Sequence, residues 1–203
     1  MRSLKIINPP VCVKCGKAVE HKAIVLCNDC KERTREFVEN KALLLYEGEV
    51  KNAMYDLKYA NKRDNAYAFA CLMVKRFGKY IKALDIEAIV PIPIHEKRLK
   101  QRGYNQAGVI ADHMGKALDI KVLHDYLIRE QDTMPQKELN DQERKNNMKN
   151  AFKVVQNDKK FGRILLIDDI YTTGSTLSYA ARALKCAGVK DVYSMTVCIG
   201  KGC

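Results

Sequence analysis

One stretch, Ile164 to Thr176 (Ile-Leu-Leu-Ile-Asp-Asp-Ile-Tyr-Thr-Thr-Gly-Ser-Thr), limits the folds open to this chain more than any other. Its four leading apolar residues, with no polar interruption, describe a strand covered on both faces, as in a parallel sheet. Two carboxylates, Asp168 and Asp169, end that strand, and a hydroxyl- and glycine-rich turn follows. Leu177, Ala180, Ala181, Leu184 and Ala187 then fall on one face of a helix. Strand, acidic pair, short loop and helix put backbone N–H groups and a helix N-terminus at the carboxyl end of the sheet. Open α/β folds bind phosphates there.

The residue types in the loop fit that chemistry. Thr172, Thr173, Ser175 and Thr176 offer hydroxyls to a phosphate dianion, and Gly174 lets the backbone come close. Asp168 and Asp169 repel phosphate, but they suit ribose hydroxyls just beyond it, or a hydrated Mg²⁺. An ordinary strand-to-helix turn with Thr173 as N-cap is the alternative. A cap needs one hydroxyl, whereas four here flank a glycine directly after two acids. The strand–turn–helix context favours a ligand site.

A second constellation lies near the N-terminus. Cys12-x-x-Cys15 and Cys27-x-x-Cys30 are two thiolate pairs that together offer four soft ligands to a tetrahedral Zn²⁺. A redox dithiol needs only one pair, and chance clustering is the other alternative. With all four positions filled by cysteine, no coordination site is left open, so the expected zinc is structural. It replaces a core that so short a segment cannot build. Lys14, Lys17, His21 and Lys22 allow the knuckle a nucleic-acid contact, with a plain solvated face as the competing reading. The expected division is a zinc-binding knuckle over residues 1–40 and a ligand-binding α/β domain over 41–203.

A third cluster follows the strand Glu87 to Pro93, which alternating prolines stop. Lys97, Arg98, Lys100 and Arg102 surround the turn into Gly103-Tyr104-Asn105-Gln106. A loop with these cations, leaving the same sheet edge as the acids, can hold a pyrophosphate. The arginine fork matches phosphate oxygens bidentately, and Gly103 permits close approach. An exposed basic turn, with Asn105 and Gln106 as ordinary caps, is the alternative.

Elsewhere the pattern is architectural. A short charged helix is expected over Lys31 to Asn40, a strand over Ala42 to Tyr46, and an amphipathic helix through Val50, Ala53, Met54 and Leu57. A longer helix, Asp64 to Leu84, buries Ala66, Phe69, Ala70, Met73, Phe77 and Ile81, with Cys71 expected as a small buried hydrophobe. Ala107, Ile110, Met114 and Ala117 continue as a helix, in which Gly115 is a cost. Short strands are expected at Val122-Leu123, Tyr126 to Ile128 and Phe152 to Val155, and a final one over Asp191 to Ile199. His113 and His124 show no partner in the sequence. Arg129 to Met148 is the polar stretch expected to move, with a capping box at Asn140 and Glu143. A charged connection containing a helix is the alternative there.

A net charge of +12 favours a polyanion or polyphosphate partner, though a lysine-rich solubility surplus explains it equally well. No apolar run approaches the length of a membrane span, and Met1 to Pro10 lacks the apolar stretch of a signal peptide. The expectation is a cytoplasmic protein whose cysteines serve as metal ligands and free thiols.

The Asp-Asp-x-x-Thr-Thr-Gly-x-Thr core resembles the phosphoribosyl pyrophosphate (PRPP) signature of type I phosphoribosyltransferases, and the neighbouring motifs resemble the ComF (ComFC-like) family over nearly the whole chain. The resemblance implies a central, mostly parallel sheet flanked by helices, with the knuckle appended. It implies PRPP bound with Mg²⁺, and Arg98, Arg102, Gly103, Asn105 and Gln106 in the pyrophosphate loop. That loop is not the Arg-Gly-Gly type of nucleobase-salvage enzymes, which argues against simple purine salvage. The family pattern also places polar groups at Thr133, Gln136, Arg144 and Asn147, and Lys137 and Arg144 are the candidates for transition-state contact with the departing pyrophosphate. In function it implies either transfer of the 5-phosphoribosyl group to an unknown acceptor, or a non-catalytic PRPP or nucleotide sensor. The sensor would bind single-stranded DNA beside the helicase that takes up DNA in natural competence.

Overall fold

The computed structural model describes residues 4–129, 151–155 and 160–201. In chain order the elements are α1 (Asn28–Glu32), β1 (Asn40–Leu45), α2 (Gly48–Tyr59), α3 (Asp64–Ala83), β2 (Ala88–Pro91), α4 (Glu96–Arg102) and α5 (Gln106–Leu118). There follow β3 (Leu127–Arg129), β4 (Phe152–Val154), β5 (Arg163–Tyr171), α6 (Ser175–Cys186) and β6 (Asp191–Ile199).

Four strands form one parallel sheet in the order β1-β6-β5-β2. The strand expected to be enclosed, β5, lies between β6 and β2, and Ile164 to Ile167 are fully buried. Alternation along the strand divides the core. Ile164 and Leu166 join Leu177, Ala180, Ala181 and Leu184 of α6, while Leu165 and Ile167 join Met73 and Ile81 of α3 and Ile110 and Met114 of α5. Each such leucine, isoleucine or methionine side chain contributes about 1.5–3 kcal/mol by leaving water. β3 and β4 form a separate antiparallel pair. Among the described residues no helix is long and apolar enough to cross a membrane.

Several local expectations are corrected. The helix leaving the knuckle is α1 and lies earlier than Lys31 to Asn40: beyond Glu32 the chain runs irregularly into β1. Arg35 and Phe37 turn inward there, and the Val38 N–H donates to the Val192 carbonyl of β6 at 2.7 Å. Cys71 is exposed, because it points away from the stripe formed by Phe69, Ala70 and Met73. Val122-Leu123 makes a single parallel bridge, Ile89 to Val122, on the outer side of β2. Ala187 is exposed at the C-cap of α6. The two histidines do have neighbours: His113 sits edge-on to Tyr67, and His124 Nε2 is 2.7 Å from Asp112 Oδ1.

Gly115 is explained by a close approach. A Cβ there would stand 2.5 Å from Val122 Cγ2 and 2.7 Å from the Ile120 carbonyl, where the chain doubles back after α5. Gly115→Ala is therefore expected to destabilise the protein by about 1–3 kcal/mol despite the helix preference for alanine. Urea denaturation checks this, and an unchanged or higher midpoint would contradict it.

Candidate functional site

The parallel sheet brings the carboxyl ends of its strands to one edge, and Pro91 at the end of β2 and Pro93 just beyond it open a cavity there. β2 stops at Pro91, which is level with Ile167. Pro93 cannot donate to a ladder, and the chain turns away through Ile92 to Ile94. On the other side β5 stays paired with β6 as far as Tyr171, opposite Ile199. Asp168 and Asp169, expected to end the strand, thus lie within β5, which runs on to Tyr171, yet among the described residues they have no strand beside them on the β2 side. The cavity, about 620 Å³, is lined by Asp168, Asp169, Thr172 and Thr176 on one wall and by Arg98, Gln101, Arg102 and Asn105 on another. Such a volume suits a small phosphorylated ligand.

The acid pair is electrostatically tense. Lys58 Nζ, at the end of α2, contacts Asp169 Oδ2 at 2.6 Å, and both side chains are largely buried. The Asp169 N–H donates to Asp168 Oδ1 at 2.9 Å. Asp168 opens in part to the cavity but is otherwise surrounded by protein. Desolvation, followed by repulsion from Asp169, raises its pKa well above the ordinary aspartate value, against the opposing pull of the Asp169 N–H and of Lys58. The folded state thus holds this proton more tightly than the unfolded chain does. Its contribution to stability is complete below the ordinary aspartate pKa of about 3.9 and is lost as pH rises through the raised value.

The basic wall is a helix rather than a loop. The charged stretch after His95 forms α4: His95 Nδ1 accepts from the Lys97 N–H at 3.2 Å, and Gly103 closes the helix with φ +77°. Its cations had hidden a helical segment. Arg102 donates from Nη1 to Gln106 Oε1 at 3.1 Å and from Nη2 to the Tyr59 hydroxyl at 3.3 Å. Among the described residues, Arg102 Nε and Gln106 Nε2 remain buried donors with no hydrogen-bond partner beside the cavity. Asn105 caps α5, accepting from the Ala107 N–H at 3.1 Å while Nδ2 donates to the Ile92 carbonyl at 3.0 Å. Its amide is therefore already committed to fixing the turn, as the capping alternative requires.

The glycine turn joins β5 to α6. Thr172 and Thr176 line the cavity, whereas Thr173 and Ser175 bond each other at 3.0 Å between their hydroxyls. Gly174 occupies the N-cap position with φ +74°, and the space a Cβ would fill is taken by the Tyr171 hydroxyl. Only glycine meets both conditions. The structure thus gathers Asp168, Asp169, Thr172, Thr176, Arg98, Arg102 and Asn105 around one space. Thr173, Gly174, Ser175 and Gly103 serve the turns behind it. Arg144, Lys137, Thr133, Gln136 and Asn147 lie outside the described residues.

Sequence reasoning missed Lys58 and Tyr59. Leu57 is core and its carbonyl accepts from the Tyr104 hydroxyl, Lys58 reaches the acids, and Tyr59 lies 5.0 Å from the Arg102 guanidinium. The tripeptide itself was the available signal, but its partners lie far away in sequence.

The four cysteine sulfurs stand within 4.8 Å of one another, and Cys15 and Cys27 are 3.6 Å apart. A Zn–S length of about 2.3 Å gives a tetrahedral edge of roughly 3.8 Å, so the set fits such a metal. Burial pushes the Cys15 thiol up, and pushes Cys30 up to about 11. Cys12, against the desolvation of its own burial, is brought down to about 7 by backbone hydrogen bonds. Four crowded thiols ionise together only around a cation.

Comparison with known proteins gives three findings. A family model for the phosphoribosyl transferase domain matches residues 99–203. Competence protein F of Haemophilus influenzae is 30% identical over 90% of this chain and 82% of its own length. Competence protein ComFC of Bacillus subtilis is 28% identical over 89% of this chain and 74% of its own.

Two substitutions test the electrostatics. Asp168→Asn removes a desolvated charge and is expected to raise Tm at pH 7–8 by about 2–4 °C, the shift for roughly 1 kcal/mol in a chain of this size. The gain should vanish below about pH 4, where both proteins carry a neutral group. Lys58→Met is expected to lower Tm, since it leaves the two acids unneutralised. Thermal melts across pH decide both, and a pH-independent gap for Asp168→Asn would refute the assigned shift.

Proposed function

Since the chain belongs to the ComF-like family of proteins with a phosphoribosyl transferase domain, we propose that its cavity binds PRPP with Mg²⁺ and transfers the 5-phosphoribosyl group to an acceptor. The fold is the type I phosphoribosyltransferase fold with a four-cysteine knuckle at the N-terminus. One observation carries the reading: the three chemistries of PRPP each have a wall in one space. The loop with Thr172 and Thr176 suits the 5-phosphate, Asp168 and Asp169 suit the ribose diol, and Arg98 and Arg102 suit the pyrophosphate. Of the buried donors, Arg102 Nε and Gln106 Nε2 lack a partner that such a ligand could supply.

The chain's own work in transfer is positioning and electrostatics. The acceptor's lone pair forms a bond to ribose C1 while the bond from C1 to the pyrophosphate oxygen breaks, and the electron pair leaves with pyrophosphate. Arg98 and Arg102 stabilise that growing charge, and the phosphate loop fixes the sugar in line. Mg²⁺ carried by PRPP adds neutralisation of the leaving group. Arg144 and Lys137, which lie outside the described residues, are assigned to the same charge. The structural knuckle metal is assigned as zinc on Cys12, Cys15, Cys27 and Cys30. The relatives' names, competence protein F and ComFC, support a role in competence. The proposed role in the cell is handling of incoming DNA in the cytoplasm, beside the uptake helicase.

A second reading, a non-catalytic PRPP sensor that binds single-stranded DNA, is favoured by one surface. Tyr55 and Tyr59 are exposed side by side on α2, ring centroids 4.8 Å apart, with Lys51 and Lys62 on the same helix and the turn after it. Bases stack on such rings and lysines track the backbone.

Calorimetry with PRPP and Mg²⁺ should show binding that the double substitution Asp168→Asn with Asp169→Asn abolishes while zinc content stays unchanged. Unaltered affinity in that variant would refute the assigned orientation. Release of pyrophosphate with a panel of bases or amines supports transfer. A salt-sensitive shift of single-stranded DNA without turnover supports the sensor.

A further inference from the structure

The four-cysteine knuckle is physically continuous with the phosphate loop. Asp29, inside the second cysteine pair, contacts Arg35 Nη2 at 2.5 Å, and the Arg35 side chain is only 4% exposed. Phe37, two residues on, is fully buried and meets the Tyr171 ring edge-on, centroids 6.4 Å apart at 83°. Tyr171 is the last residue of β5 and its hydroxyl fills the space beneath Gly174. Among the described residues that hydroxyl is buried without a hydrogen-bond partner, so packing rather than a hydrogen bond holds it. Alongside, the Glu36 N–H donates to Ser178 Oγ in the first turn of α6 at 3.1 Å. The Asn40 amide donates to the Cys15 carbonyl at 2.9 Å, tying the first cysteine pair to β1. Thus the strand end, the glycine and the helix start that make up the phosphate cradle all rest on the segment that runs out of the second cysteine pair.

The helix that opens that segment, α1, has little to hold it besides a metal. α1 has five residues, of which only Cys30 is buried. Without a cation to join them, the two cysteine pairs have no bond across the knuckle, and the turn carrying Asp29 then loses its anchor. Arg35 and Phe37 follow it, and the Tyr171 ring loses the edge that props it under Gly174. We infer that Phe37 and Tyr171 are positioning residues through which metal in the knuckle sets the affinity of the phosphate loop. The inference rests on the PRPP reading above and deepens it: a redox- or chelation-sensitive metal becomes a control on sugar-phosphate binding. By linkage the reverse holds too, so bound PRPP tightens the metal by the same factor.

The test uses the full chain, zinc-loaded or stripped by a chelator that is then removed. PRPP with Mg²⁺ is titrated calorimetrically into each. Stripped protein is expected to bind about tenfold more weakly, within the usual range of coupling between sites, and to recover when one equivalent of zinc is returned. In the reverse direction, saturating PRPP should slow transfer of zinc to a chromogenic chelator. That protection should disappear in Phe37→Ala, which still takes up zinc, and return in Phe37→Leu. A merely structural role for Phe37 would change stability but not remove the effect of PRPP on zinc release. Stripped protein that remains folded and binds PRPP as tightly as loaded protein overturns the inference, as does zinc release indifferent to PRPP in the wild type. If stripping unfolds the chain, the release measurement decides alone. Absence of PRPP binding by the zinc-loaded wild type would instead overturn the reading on which the inference rests.

Discussion

A strand enclosed on both faces can carry carboxylates only where the sheet opens beside it, and β5 reaches that point at Asp168. The four apolar residues before it are fully buried, β6 continues to pair with it, and Pro91 and Pro93, at and beyond the end of β2, withdraw the other neighbour. Everything at the site follows from this asymmetry. The acids face a cavity instead of a strand, α4 and α5 close its far side, and the glycine turn is delivered to its rim. A longer β2 would pair across the acids and abolish the space.

The site also shows how function draws on stability. Asp168 is held in surroundings that disfavour its charge, Gly174 keeps a left-handed turn over a buried phenol, and Arg102 and Gln106 each bury a donor without a partner. Each departs from what would make the fold most stable, and all of them cluster around the same opening. The surrounding core compensates: Leu165 and Ile167 on one face and Ile164 and Leu166 on the other lock β5 between two helical layers.

Features encoded within a few neighbouring residues were legible in the sequence. Uninterrupted apolar character located β5, the 3.6-residue period located α3 and α6, and paired cysteine spacing located the knuckle. What escaped depended on distant partners. Lys58 gains its meaning from Asp169, and Tyr59 from Arg102, neither of which local pattern can reveal. The helix α4 was obscured because it buries no residue, leaving no apolar stripe to betray it. Gly115 looked like a flaw until the return of the chain at Val122 supplied its reason. The knuckle read as a separate module, yet Cys12, Cys15, Cys30 and Phe37 share a core cluster with Ile164 and Leu184.

The most direct measurement is a crystal structure of the protein soaked with PRPP and Mg²⁺. The expected result is the 5-phosphate seated on the turn from Thr172 to Thr176, with the ribose hydroxyls on Asp168 and Asp169 and the pyrophosphate toward Arg98 and Arg102. Ligand density outside this cavity, or a sugar held in it with its phosphate turned away from Gly174, would contradict the site as described.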